Sequence, residues 1–175
     1  MKKLKIITIP ALSLRKKSIP IDKITPEIQE LSRKMVDVLH SKPGLGLAAP
    51  QVGYNIRLII IESRETRDEE GNILYENIPL MTLVNPVITH FSKDRVVLDE
   101  GCFSVPDQYG PIERPVKIRA EALDINGNKV KINTKGLLAR VIQHEIDHLD
   151  GILFVDRLKD PKDIRTIEAD QDIQA

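Results

Sequence analysis

Two histidines and a glutamate lie within five consecutive residues, which read His144-Glu145-Ile146-Asp147-His148. On a helix, residues four apart lie one above the other, so both imidazoles face the same point. Two imidazoles at this spacing can bind one divalent metal ion, and Glu145 can then act as a general base on a metal-bound water. Coincidence is the alternative, but a buried helix does not carry three ionisable groups without a compensating partner. The segment therefore predicts a metal site.

A catalytic metal site of this kind needs a third protein ligand, for which the upstream candidates are His40, His90 and Cys102. The downstream histidine of a metzincin is missing, because its position is Phe154. Cys102 follows a glycine and lies between a carboxylate and a hydroxyl residue, which is unusual for a packing cysteine. A thiolate with two imidazoles leaves the fourth metal position open for water and suits zinc or ferrous iron. We therefore favour Cys102.

A glycine-rich segment, Gly44-Leu45-Gly46-Leu47-Ala48-Ala49-Pro50-Gln51, precedes these residues. It lacks the G-x-G-x-x-G and G-K-[S/T] patterns, so it is a poor candidate for a nucleotide site. Two interpretations stay open at this point. The segment is either a tight turn of small residues, or exposed backbone that pairs with an extended peptide. In the second case Gln51 can donate a side-chain N–H to a developing oxyanion.

Apolar periodicity predicts the elements that position these residues. Residues 25–40 predict a helix with Thr25 as its cap, and residues 136–150 predict a helix that is buried on nearly all sides and ends at Gly151. Extended chain is predicted for residues 4–9, 57–61, 83–90, 95–98, 115–123, 128–133 and 152–158. This order predicts an α+β fold of mostly antiparallel strands packed around a buried C-terminal metal-binding helix.

The connections carry their own signals. The pair Asn126-Gly127 predicts a two-residue hairpin turn, and Pro86 within an extended segment predicts a bulge or an edge strand. Residues 62–80 are polar and predict a surface loop or a short hairpin. Asp160-Pro161 predicts the start of a short final helix.

The length of 175 residues fits a single domain, 1–175, with a peripheral tail at 159–175. The 26 basic and 26 acidic side chains give a net charge of +0, which argues against nucleic acid as a direct partner. One cysteine cannot form an intramolecular disulfide, and no apolar run reaches the ~20 residues of a membrane span. We expect a cytoplasmic protein without a membrane partner, or, as the less favoured alternative, a protein of an organelle matrix.

Three motifs in this order resemble the peptide deformylase family. They are G-x-G-x-A-A-x-Q at residues 44–51, E-G-C-x-S at 100–104 and Q-H-E-x-D-H at 143–148. Residues 9–15 and the Val-Asn-Pro at 84–86 are also similar to the family. The resemblance covers the chain from residue 4 to about residue 158.

The resemblance implies a metal-dependent hydrolase that removes the formyl group from the N-terminal formyl-methionine of nascent peptides. It implies that water on one divalent metal ion attacks the formyl carbon. The family's metal is ferrous iron, with zinc, nickel or cobalt as substitutes. The implied roles are metal ligation by Cys102, His144 and His148, general base and acid catalysis by Glu145, oxyanion stabilisation by Gln51 and the backbone N–H of Phe103, and peptide pairing by the backbone of Leu45 and Gly46.

Helix geometry adds predictions beyond the resemblance. Leu137 and Val141 lie seven and three residues before His144, on the same face, so we expect them to line a methionine pocket. Their alternative role is plain core packing. Candidate partners that orient the ligands are Glu100, Asp147 and Arg114, with ordinary ion pairing as the alternative.

Two other classes of protein compete with this interpretation. A zincin-type peptidase shares H-E-x-x-H, but the upstream cysteine argues against it. A structural metal site or a ribosome-associated binding module would need neither Glu145 nor Gln51. The tail after Leu158 is acidic on balance, so we expect at most transient proximity to the ribosome rather than docking through a basic helix.

Overall fold

The computed structural model describes residues 4–166. They contain helix α1 (Pro26–His40) and helix α2 (Gly136–Leu149). The strands of this described part are β1 (Gly46–Ala48), β2 (Leu58–Ser63), β3 (Thr66–Arg67), β4 (Ile73–Tyr75), β5 (Ile78–Phe91), β6 (Arg95–Cys102), β7 (Val105–Pro115), β8 (Lys117–Leu123), β9 (Lys129–Lys135) and β10 (Arg165–Thr166). Short 3-10 turns cover Leu12–Arg15, Ala49–Val52, Phe154–Arg157 and Pro161–Asp163.

Three groups of strands organise the molecule. The largest sheet has the order β1-β2-β5-β8-β9, and every pair in it is antiparallel. A second sheet has the order β10-β7-β6, and β3 pairs with β4 in a separate hairpin. This architecture confirms the predicted α+β class with mostly antiparallel strands.

Both faces of the five-stranded sheet are covered, as strand β2 illustrates. Its alternating side chains Leu58 and Ile60 belong to the cluster of α1, whereas Ile59 and Ile61 belong to the cluster of α2. Period-two alternation sends successive side chains to opposite faces, so a continuous apolar run is what a strand buried on both faces requires. The sheet thus lies between the two helices.

Helix α2 is enclosed as its sequence predicts, since every residue from Ala139 to Leu149 except His144 is buried. It ends at Leu149, and Gly151 follows with a φ of +74°. Helix α1 begins at Pro26 as predicted, although the Thr25 side chain makes no capping hydrogen bond. Pro86 sits at a bulge, because the pairing of β5 with β8 shifts register between Val84 and Val87 in the interior of the sheet.

Three local predictions were wrong. Residues 4–9 form no strand, because their backbone hydrogen bonds go to single residues outside any strand. The Ile7 N–H, for example, donates to the carbonyl of Gln51, which lies in a turn. Residues 152–158 are not extended throughout, because the Asp156 carboxylate accepts the Leu153 N–H and closes the turn at Phe154–Arg157.

The third error concerns the hairpin of β8 and β9, which exists but has a five-residue loop. Asp124 accepts hydrogen bonds from the backbone N–H groups of Asn126 and Asn128, so a side chain organises the turn instead of a two-residue geometry.

The hairpin predicted as one possibility for residues 62–80 is present as β3 and β4. The final helix is reduced to the three-residue turn Pro161–Asp163, and residues 167–175 of the tail lie outside the described residues. No described helix is long and apolar enough to cross a membrane.

Candidate active site

Helix α2 and the end of strand β6 bring three possible metal ligands together. One ligand atom from each of Cys102, His144 and His148 lies within 4.8 Å of the others. The Cys102 Sγ is 3.2 Å from the His148 Nε2, and the two imidazole rings are nearly perpendicular with centroids 5.0 Å apart. The helical spacing of the histidines therefore places both rings beside a cysteine at the end of the three-stranded sheet.

Glu145 directly follows His144 on helix α2. It is 4% exposed, and its Oε2 is buried without a hydrogen-bond partner among the described residues. Burial raises the pKa of Glu145 to about 7. A carboxyl group without a hydrogen-bond or ion-pair partner among the described residues, next to three possible metal ligands, is free to exchange a proton with a ligand.

A buried carboxylate holds the first histidine. Glu100 Oε2 lies 2.9 Å from His144 Nδ1, which leaves the Nε2 of that ring for the cluster. Arg114 contacts both oxygens of Glu100, with its Nε at 2.6 Å and its Nη2 at 2.8 Å, and its Nη1 donates to Asp147 at 2.8 Å. Although burial opposes it, the hydrogen bonds from Arg114 and His144 hold the pKa of Glu100 well below its ordinary value.

The pKa values of the two imidazoles are shifted in opposite directions. Burial and the charge of His144 lower the pKa of His148 well below its ordinary value. Burial opposes the shift at His144, but Cys102 and Glu100 raise its pKa. His148 is thus held neutral, which is the form that binds a metal.

Gln51 faces the cysteine through its amide nitrogen. Its Oε1 accepts the backbone N–H of Ala48 at 2.8 Å, so the Nε2 must point the other way. That nitrogen lies 3.4 Å from Cys102 Sγ and 3.2 Å from the hydroxyl of Ser104. Within residues 4–166 the backbone N–H of Phe103 has no acceptor. The Gln51 Nε2 and the backbone N–H of Ser104, 3.4 Å from Sγ, therefore lie beside the sulfur, and the Phe103 N–H is a further donor next to the cysteine.

The two glycines of the glycine-rich segment lie against the site. A Cβ on Gly46 would be 2.4 Å from Glu145 Oε1, and a Cβ on Gly44 would be 2.1 Å from the Phe103 ring. A side chain at either position would therefore meet a residue of the site. Leu45, between them, packs against the apolar cluster of α2.

A cavity of about 930 Å³ opens onto this cluster. Its wall includes Leu45, Gly46, Leu137, Val141 and the Phe103 ring, together with Cys102, His144 and Glu145 at its base. The predicted pocket residues Leu137 and Val141 therefore do line the space beside His144. The same wall contains Arg140, a buried charge that the sequence analysis did not assign; its signal is a charged residue on the apolar face of a buried helix.

The other histidine candidates lie elsewhere. His40 contacts Glu62 at the surface, and His90 is exposed on β5 opposite Arg119. Neither belongs to the cluster, so among the described residues the Cys102, His144 and His148 set is the one group that could hold a metal ion.

The donor set fits a divalent metal. One sulfur and two imidazole nitrogens suit zinc or ferrous iron and leave a coordination position open. Glu145, next to His144 in the sequence and in the same cavity wall, has a buried Oε2 without a partner and could accept a proton from a water bound to such an ion. This combination defines a class of protein, a metal-assisted hydrolase with a peptide-sized cavity.

Comparisons with known proteins identify the family. The family model described as polypeptide deformylase matches residues 3–163. A peptide deformylase of Thermomicrobium roseum is 42% identical over 167 residues, which cover 95% of this chain and 92% of that protein. The crystal structure of a peptide deformylase from Synechococcus elongatus in complex with actinonin has a TM-score of 0.81 and 36% identity, covering 91% of this chain and 81% of that one.

A further solved structure, a Met-Ala-Ser-bound class I type b peptide deformylase from Acinetobacter baumannii, has a TM-score of 0.81 and 32% identity. The match covers 89% of this chain and 98% of the Acinetobacter baumannii protein. The chain belongs to the polypeptide deformylase family. This membership confirms the predicted resemblance, the enzyme class and the deformylase function, and it implies a divalent metal.

Proposed function

We propose that this enzyme removes the formyl group from the N-terminal formyl-methionine of newly synthesised peptides. The observation that carries the proposal is the convergence of Cys102, His144 and His148 within 4.8 Å, beside the unpaired carboxyl of Glu145. Site roles are proposed for the residues that the sequence analysis selected.

Cys102, His144 and His148 would hold one divalent metal ion, ferrous iron in the cell, with zinc, nickel or cobalt as substitutes. When bound, the metal polarises the formyl oxygen and lowers the pKa of a water molecule. This assignment is supported by the soft and borderline donors that meet at the cavity base.

Glu145 takes the proton of the attacking water and later delivers it to the leaving amine. Its buried carboxyl has a free oxygen and no ion-pair partner, so either protonation state is accessible. Gln51 Nε2 and the backbone N–H of Phe103 donate to the oxyanion that develops on the formyl oxygen. The fixed orientation of the Gln51 amide supports this role.

The peptide lies along strand β1. Leu45 and Gly46 offer backbone groups to the extended substrate, and Gly46 lets the peptide backbone approach Glu145 without an intervening side chain. Leu137 and Val141 line the pocket for the methionine side chain, as supported by their position in the cavity wall next to His144. A formyl carbon carries only hydrogen, so a tight site around the reacting carbon would exclude bulkier acyl groups.

Glu100, Arg114 and Asp147 act as positioning residues. Glu100 fixes the ring of His144, Arg114 fixes Glu100, and Asp147 fixes Arg114. We further propose that the chain works as one catalytic domain, 1–175, with a peripheral tail at 159–175. It would act in the cytoplasm on nascent peptides near the ribosome, without direct contact to nucleic acid.

A deformylation assay tests the proposal. The wild-type protein is loaded anaerobically with ferrous iron or nickel, and a formyl-Met tripeptide is the substrate. We expect turnover by the wild type, and loss of turnover with chelator, with Glu145→Gln and with Cys102→Ser. Glu121→Gln, an exposed change of the same chemistry on β8, serves as the matched control and should retain activity.

Metal content separates the roles. Cys102→Ser should lower the metal bound per chain, whereas Glu145→Gln should keep it. An inactive wild-type protein with one bound metal per chain would contradict the proposed function, and cleavage of an unformylated peptide would favour a peptidase.

A further inference from the structure

A buried arginine stands among the apolar residues of the proposed methionine pocket. Arg140 lies between Leu137 and Val141 on the face of α2 that carries His144, and it is only 7% exposed. Burying a guanidinium is costly unless it is fully paired. No step of the proposed reaction uses its charge.

Three acceptors fix the guanidinium. Its Nη1 donates to Glu100 Oε1 at 2.6 Å and to the carbonyl of Ile112 at 3.1 Å, while its Nη2 donates to the carbonyl of Val96 at 2.9 Å. These contacts join α2 to strands β6 and β7. Rotation of the side chain would leave a buried guanidinium without partners and would remove one hydrogen bond from the Glu100 carboxylate, so the group stays in place.

A second space lies on the other side of Arg140. This lateral groove, of about 280 Å³, has an apolar wall formed by Ile73, Leu74, Val96, Leu98 and Val116. Among the described residues, the groove and the large cavity share only Leu137 and Arg140 in their walls. The two spaces therefore adjoin at these two side chains, and the lining of the groove is mostly apolar, with Glu76 as a further acidic member.

We propose that Arg140 is a specificity-determining residue, whose anchored guanidinium closes the methionine pocket against the lateral groove and so limits the length of the first side chain. The inference rests on the proposed function of the pocket. A longer alkyl side chain would have to displace the guanidinium and break its hydrogen bonds. Without that barrier, the same side chain would continue into the apolar groove.

Substrate selectivity tests the proposal. We compare the kcat/KM of a formyl-Met tripeptide with that of its 2-aminodecanoyl analogue, whose straight alkyl side chain is twice as long as that of methionine. Arg140→Met should raise the ratio of the long substrate to the formyl-Met substrate by ~10-fold or more, since buried methylenes are discriminated by such factors. Any loss of metal affects both substrates, so the ratio does not depend on metal occupancy.

Two neighbouring positions provide matched variants. Leu137→Ala thins the same wall and should also raise the ratio. Leu138→Ala is the same change one residue on, in a side chain that packs against the sheet and lines neither space, and should leave the ratio unchanged. If Arg140→Met does not fold, Arg140→Lys keeps a charge near Glu100 but cannot reach all three acceptors, and should raise the ratio by a smaller factor.

A ratio that stays at the wild-type value in the folded Arg140 variants would overturn the proposal, as would an equal loss on both substrates. Calorimetric binding of the two deformylated tripeptides provides a readout without turnover, and Arg140→Met should bind the long one relatively more tightly. An inactive wild-type protein would contradict the proposed function, while the calorimetric ratio would still decide the role of Arg140.

Discussion

Helix α1 packs one face against the five-stranded sheet, whereas helix α2 is buried around nearly its whole circumference. The buried residues of α1 are apolar except for Ser32, and of them only Val38 reaches the cavity. Helix α2 buries ionisable groups, including Arg140, Glu145 and Asp147. A helix that only stabilises the fold can obey the ordinary rule of an apolar inner face. A helix that carries chemistry must bury charge and needs partners from distant strands.

The largest effect expected from this contrast is a change that removes activity without removing stability. Glu145→Gln should lower kcat/KM by about 10²–10⁴-fold, because a general base and acid is lost. Its melting temperature should stay level or rise, since the variant replaces a buried and unpaired carboxyl. Steady-state kinetics and thermal melting on one preparation check both parts.

The matched variant on α1 is Ser32→Ala, which removes a buried hydroxyl 3.2 Å from the Thr82 hydroxyl. It should leave kcat/KM unchanged. An inactive Ser32→Ala protein, or a Glu145→Gln protein that no longer folds, would contradict the interpretation that α1 serves stability and α2 serves the chemistry.

A core truncation on α1 should show the opposite pattern. Met35 is fully buried, so Met35→Ala should lower the free energy of unfolding by about 2–5 kcal/mol through lost transfer energy and a residual cavity. The folded fraction should keep its kcat, because Met35 does not line the cavity. Urea unfolding measures the first quantity, and kinetics below the transition measure the second.

Replacement of the carboxylate that supports α2 should act on the metal. Glu100→Gln cannot accept hydrogen bonds from two arginines and His144 with both of its atoms, so the orientation of His144 is lost. We expect the metal affinity to fall by about 10–100-fold. Competition with a chelator measures it, and Glu113→Gln, on the same sheet but at the surface, should bind as the wild type does.

The smallest effect concerns the exposed face of α1. Glu30 pairs with Arg33 and Lys34, and the hydrogen bond from Arg33 lowers its pKa below the ordinary value of 4.5. The pair stabilises the protein above that value, and the contribution is lost as the pH falls through the lowered pKa. Glu30→Gln should therefore lower the melting temperature slightly at pH 7 and not at pH 3. A larger effect at pH 3 would contradict this sign.

Local signals were enough to predict much of the molecule. The periodicity of residues 26–40 and 136–149 contains the information for both helices, and the apolar run at Leu58–Ile61 contains that for a strand covered on both faces. The same spacing rule placed Leu137, Val141 and His144 on one face. Each of these predictions depends on residues within two turns of one another.

The errors and omissions depend on hydrogen bonds, some of them local and some to distant residues, that apolar periodicity does not encode. The turn at Phe154–Arg157 forms around the Asp156 carboxylate, which also contacts Arg15. Arg140 finds its anion 40 residues away at Glu100. Nothing in the local pattern around Arg140 states which strand will supply its acceptors. The site roles of the individual residues remain predictions that the variants above will decide.

The two glycines beside the candidate site, Gly44 and Gly46, also restrict how this enzyme can evolve. A Cβ on Gly44 or Gly46 would collide with the Phe103 ring or the Glu145 carboxyl, so either substitution requires one of these side chains to move. Substitution of either glycine would therefore disturb the site itself, so these positions are poor routes to a different peptide preference. We therefore expect new specificities to arise more readily at Leu137, Arg140 and Val141, which line the same cavity from helix α2.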